Sequence, residues 1–214
     1  GKIVLATIII SGSAKWLLKV GGNKEKWYGS DRIFMYVMTV FGAMTVNYSE
    51  QCTEYGWVVS NLRLLAGCLL AGGLLSAAYM DRRNCWVYNY VWWWCLPWAG
   101  ILGLTAGGGF HGIVAVLVFV MLQQLLFSRM YGKADCHAFS VCALAECGNA
   151  VGMVGFLLQM FLSVVLLTIV QLFRGNVTPR GRLREPQPFI PYIITAFFSV
   201  TFLESVFRTT YIYA

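Results

Sequence analysis

Residues 138–173 read AFSVCALAECGNAVGMVGFLLQMFLSVVLLTIVQLF, an almost unbroken apolar run. As a single helix it would be about 54 Å long at 1.5 Å per residue, far more than the ~30 Å hydrocarbon core of a bilayer. Gly148-Asn149 offers the break, since neither residue favours a helix interior. The run then divides into a short helix, Cys136 to Cys147, and a full-length one, Val151 to Phe173. The topology of the whole chain turns on that division.

The composition agrees with a membrane setting. Of the 214 residues 58% are hydrophobic and 12% charged, about half the charge of an ordinary globular domain. The apolar runs are continuous rather than alternating, which excludes a barrel. The sequence therefore predicts an all-α polytopic membrane protein with about eight membrane segments, one of them short, in a single integral-membrane domain covering residues 1–214. The crossings expected ahead of the long run are Ile3 to Val20, Ile33 to Val46, Trp57 to Met80, Val87 to Ala106 and Ile113 to Met130. Phe189 to Phe207 is the last. Tryptophans 86, 92, 93, 94 and 98 crowd the start of the fourth, as expected of a segment that begins at an interface. The first apolar run has no small-residue cleavage site and reads as a retained helix.

Charge distribution tests this arrangement. The net charge of +7 belongs to loops on one side of a bilayer, the positive-inside pattern, and not to a nucleic-acid surface. If Lys19 to Arg32 is cytoplasmic, successive hairpins return Arg82-Arg83, then Arg129 and Lys133, to the same side. The break at Gly148-Asn149 brings the basic loop Arg174 to Pro188 there as well. Glu50 and Glu54 fall opposite. Reading 138–173 as one crossing would send four arginines outside. The seven cysteines form no C-x-x-C pair, so no zinc or redox motif and no disulfide framework is expected, and no metal or cofactor is called for.

Two stretches then stand out: Tyr79-Met80-Asp81-Arg82-Arg83-Asn84-Cys85-Trp86-Val87-Tyr88-Asn89, and Tyr131-Gly132-Lys133-Ala134-Asp135-Cys136-His137. Each places an aspartate where an apolar segment meets a basic loop, in a chain with only nine acidic residues. Topology gives Asp81 and Asp135 the same depth although 54 positions separate them. Each alone also fits a plainer role: Asp81 as an interfacial partner of the adjacent arginines, Asp135 as a helix N-terminal cap.

Together the stretches resemble the type IV prepilin peptidases, membrane aspartyl proteases of the GxGD class. That family's first motif, D-x-[RK]-x-x-x-[IV]-P-N, is matched by Asp81, Arg83, Val87 and Asn89, with Tyr88 in place of proline. The second, G-x-G-D-x-K, is matched by Gly132 and Asp135; Lys133 fills the open position, Ala134 replaces the second glycine and His137 the lysine. Gly148 after the short helix and Pro188-Phe189-Ile190-Pro191 also follow the family's pattern, so the resemblance covers roughly Gly67 to the C-terminus. It implies an intramembrane endopeptidase in the bacterial inner membrane with its site near the cytoplasmic face, catalytic Asp81 and Asp135, and Gly132, Lys133, Ala134, His137, Arg83 and Asn89 in support. The implied partner is a prepilin-like membrane protein, cut after a glycine between a basic leader and an apolar helix. The C-x-x-C-bearing insertion of many bacterial members is missing, which implies a form without the methyltransferase function. At Ala134 a methyl stands where glycine would permit close approach and positive φ.

Two carboxyls near one another in a poorly solvated place share a proton, so one can serve as base and the other as acid. The same acids could instead form a proton relay in a small-solute transporter, or the chain could be an inactive scaffold. Arg63, Glu146 and Glu204 lie within apolar segments toward the opposite side, and are expected to neutralise charge between helices.

Overall fold

The computed structural model describes residues 1–22, 29–51, 56–106, 110–125, 128, 132–147, 152–174 and 187–213. Among these the chain forms eight α-helices and no strand: α1 (Lys2–Val20), α2 (Gly29–Gln51), α3 (Trp57–Asn84), α4 (Asn89–Thr105), α5 (Phe110–Leu125), α6 (Lys133–Glu146), α7 (Gly152–Phe173) and α8 (Ile190–Tyr213). The turns expected at Gly107 to Gly109 and at Gly148-Asn149 lie outside the described residues. So do half of the loop from Gly21 to Arg32, Glu54, and nearly all of the basic loop from Arg174 to Pro188.

Among the described residues four helices are long and apolar enough to cross a membrane: α1, α3, α7 from Val154, and α8 as far as Phe207. This makes the chain compatible with a polytopic membrane protein. The 138–173 run is two helices, as its length demanded. At fourteen residues α6 is about 21 Å long, short of the hydrocarbon core. Of the fifth expected segment, Ile113 to Met130, helix is described as far as Leu125, and most of the remainder lies outside the described residues.

The core is built round α3, which is buried without interruption from Leu70 to Asp81. Small residues let its neighbours approach. A Cβ on Gly72 would meet the Ser13 side chain on α1, and one on Gly103 of α4 would meet the Leu144 carbonyl of α6. Close backbone approach of this kind is how helices associate where lipid removes the hydrophobic drive between them. The outward faces of α1, α2, α5 and α7 carry exposed Val4, Ile8, Val37, Leu117, Val118, Leu157 and Phe161, side chains suited to acyl chains.

Cross-contacts define two ends. At one, Tyr90 Oη at the start of α4 donates to the Leu17 carbonyl at the end of α1 (2.9 Å), and Gln124 near the end of α5 meets His137 in α6 (3.4 Å). Gln171 of α7 donates to Gln187 just before α8 (3.2 Å). At the other end, Arg63 donates to the Leu102 carbonyl and to Thr105 Oγ1, both at 2.9 Å, joining α3 to the close of α4. Glu146 Oε1 accepts from Thr201 of α8 there (3.0 Å), and Glu204 is near enough for its charge to act on Glu146.

Candidate functional site

Asp81 and Asp135 both lie at the first of these ends. Asp81 is in the last full turn of α3, which runs on to Asn84 instead of stopping at Met80 as the sequence suggests. The helix closes at Cys85, whose left-handed φ of 49° lets its N–H reach the Asp81 carbonyl (2.8 Å). That conformation is uncommon for a residue with a Cβ. The Asp81 side chain is 6% exposed, and its Oδ2 accepts the Ile190 N–H at 3.0 Å. The Phe189 N–H addresses the same carboxylate.

The chemistry of α8 explains this contact. The first N–H groups of any helix lack intrahelical partners. Pro191 at the second position removes one, and Pro188 orients the approach; the N–H groups of Phe189 and Ile190 remain, and Asp81 collects them. A carboxylate there also meets the positive end of the helix dipole. Pro188-Phe189-Ile190-Pro191 is thus the seat of the first aspartate.

The adjacent arginines turn elsewhere. Arg82 Nε lies 2.8 Å and Arg83 Nε 3.4 Å from the two oxygens of Asp31, in the first turn of α2. Arg82 stacks over Phe34 and Arg83 over Tyr79. Asp31 thereby clamps α2 to the end of α3, a role the sequence reading did not give it. An acid at the head of an apolar helix, facing two cations at the tail of the next, was the available signal.

Asp135 is the third residue of α6, because the helix starts at Lys133 and not at Cys136. Its Oδ2 reaches back to accept the Gly132 N–H (3.2 Å), the acidic half of a capping box. The plain N-cap role considered from sequence is therefore displaced by three residues: Gly132 is the N-cap. Asp135 is half-buried and outside the four long spans. Its carboxyl is pushed up to about 7, first by burial and then by the Asp81 charge, against a smaller pull from the Gly132 N–H. Asp81 is thus near enough for its charge to act on Asp135.

The supporting residues separate. Gly132 and Lys133 are exposed at the head of α6, and Asn89 is exposed as the first residue of α4. Ala134 is helical and packs its methyl against the core. The only non-glycine residue with positive φ among those described is Cys85, so position 134 needs no glycine for its backbone. His137 points to Gln124 and to the Trp92 ring, 6.0 Å centroid to centroid. Burial, and secondarily Lys133, lower its basicity. Among the described residues no three His, Cys, Asp or Glu side chains converge as metal ligands do. An open apolar groove lined by Tyr36, Val37, Val40, Phe41 and Met44 lies on α2 and contains none of these residues.

Comparison with protein-family models, with curated proteins and with solved structures finds no match for this chain.

Proposed function

We propose that the chain is an intramembrane aspartyl endopeptidase of the prepilin-peptidase type, with Asp81 and Asp135 as its catalytic pair. One observation carries the reading: two acids from distant parts of the chain lie at one end of the bundle, where the charge of Asp81 raises the proton affinity of Asp135. A pair holding a single proton has both groups that peptide hydrolysis needs. The ionised carboxyl takes a proton from water as the hydroxyl adds to the scissile carbonyl carbon. The neutral carboxyl gives its proton to the carbonyl oxygen. When the C–N bond breaks, the amine nitrogen takes up a proton, so one water is consumed for each carboxyl and amine released, and the pair again holds one proton.

The surroundings support a substrate whose apolar helix begins at this depth. Lys19, Arg32, Arg82, Arg83, Lys133 and Arg174 all sit at helix ends on the aspartate side, the charge sign of a cytoplasmic face. The partner is a prepilin-like membrane protein, cut between its basic leader and its apolar helix, and the setting is the bacterial inner membrane. Glu146, buried toward the other end, favours a second reading, a proton-coupled transporter, because a relay needs acids at more than one depth.

Purified protein in liposomes, given a leader-bearing prepilin-like substrate, separates the two. Cleavage after the leader glycine, abolished by Asp81→Asn and by Asp135→Asn, is the expected result. Proton-coupled uptake without proteolysis contradicts the peptidase reading, as does cleavage surviving either substitution.

A further inference from the structure

Two glutamines are fully buried between α5, α6 and α7. Gln123 of α5 and Gln159 of α7 are each 0% exposed. Among the described residues Gln123 Nε2 reaches only a methionine sulfur, Met160 Sδ at 3.8 Å, a weak acceptor. Gln123 Oε1 and Gln159 Oε1 have no hydrogen-bond partner among the described residues, and Gln159 Nε2 has none beyond a weak one to sulfur. Gln159 faces the Cys142 thiol of α6. Glu146, one turn beyond Cys142, is engaged by Thr201. Buried polar atoms in proteins nearly always have a partner, and lipid offers none. Buried amides with unfilled hydrogen-bonding positions, and no charge on the glutamines, suit a small neutral molecule that both donates and accepts. Water fits, since a buried water typically makes about three such bonds.

The position bears on the aspartates. Cys142 follows Asp135 by seven residues, so both lie on one face of α6, about 10 Å apart along its axis. Phe139 occupies the same face between them. Its ring packs edge-on against Phe156 of α7 (6.3 Å) and against Phe189 (5.8 Å), the neighbour of the residue that binds Asp81. Phe119 of α5 closes on Phe156 at 4.5 Å. An aromatic layer thus separates the amides from the acids.

We propose that Gln123 and Gln159, beside Cys142, form an internal water site, and that water held there passes the Phe139–Phe189 layer to supply hydrolysis at Asp81 and Asp135. The second half rests on the peptidase reading. A substrate helix seated over the acids covers their open side, so the consumed water arrives from within the bundle. Each turnover places the water oxygen on the new carboxyl carbon and one of its hydrogens on the leaving amine.

Protein labelled with ¹⁵N in glutamine side chains, in nanodiscs, tests the site by water-to-amide cross-relaxation, with Gln123→Leu and Gln159→Leu assigning the signals. Contact of both amides with water is expected. Amides that bond to each other and show no water contact overturn the site. The supply role is read from Gln123→Met/Gln159→Met, or from Gln123→Leu alone if the double variant does not fold. A several-fold fall in kcat with KM unchanged is expected, whereas unchanged kcat overturns the supply role. If the wild-type protein cleaves no leader-bearing substrate, the peptidase reading and the supply role fall together, and the cross-relaxation result alone then decides the site.

Discussion

Asp81 comes at the end of twelve consecutive buried residues of α3 and bonds to a different helix, at the Ile190 N–H. Asp135 opens a short helix, is half-buried, and bonds to its own N-cap, Gly132. One acid is held by tertiary structure and the other by local structure. The difference assigns them unequal duties in the fold. Removing Asp81 strips α8 of its cap inside the bundle; removing Asp135 frees an N–H at an exposed turn, where water replaces the lost partner.

The largest effect separates chemistry from fold. Asp81→Asn and Asp135→Asn are each expected to lower cleavage of a leader-bearing substrate by about 10²–10⁴-fold, the range for general acid–base groups. Equal losses support a pair; activity surviving in one variant would leave the other acid acting alone. Alanine then breaks the symmetry. Asp81→Ala orphans the buried Ile190 N–H and should destabilise by about 1–3 kcal/mol, whereas Asp135→Ala should cost about 0.5–1 kcal/mol, both read by thermal unfolding in detergent. If the two alanine variants melt alike, the contrast between tertiary and local seating is wrong.

Acidity sharpens the comparison next. Asp135 holds its proton up to about 7, so the neutral partner of the pair is lost as pH rises through that value. The cleavage rate should therefore fall on the alkaline side of about pH 7, and a rate still rising through pH 8 would contradict the shared proton. A smaller change is expected from Asp31→Asn, which releases Arg82 and Arg83 from α2. With these side chains partly exposed, the loss should be about 1 kcal/mol or less, diminishing in high salt. Least of all is Ala134→Gly: cleavage unchanged and stability lower by about 0.5–1 kcal/mol, because position 134 is helical and gains nothing from glycine.

How much of this was legible in the sequence follows the range of the forces involved. The division of residues 138–173 was readable because hydrocarbon thickness limits helix length, and α6 and α7 appear on either side of Gly148-Asn149. The common end of Asp81 and Asp135 was readable because charged loops sort to one side. Helix ends were less so: α3 continues four residues past Met80 and α6 begins three before Cys136, since capping bonds, not hydropathy, set those limits. The partner of Asp81 was hidden because residues 81 and 190 meet only through packing. Arg63 was expected to pair with Glu146 or Glu204 between helices; the role it shows is to tie down the end of α4 through Leu102 and Thr105. Gln123 and Gln159 passed unremarked, because an isolated glutamine in an apolar helix gives no sign of whether it is buried.

The coupling of the two carboxyls is tested most directly by following the Asp135 carboxyl through a pH titration with infrared difference spectroscopy, in the wild type and in Asp81→Asn. With the Asp81 charge gone, the Asp135 carboxyl should ionise at distinctly lower pH than in the wild type, though still above the ordinary carboxylate range because burial remains. An Asp135 titration that does not move would mean that the two acids do not share a proton, and the account of a catalytic pair would fail.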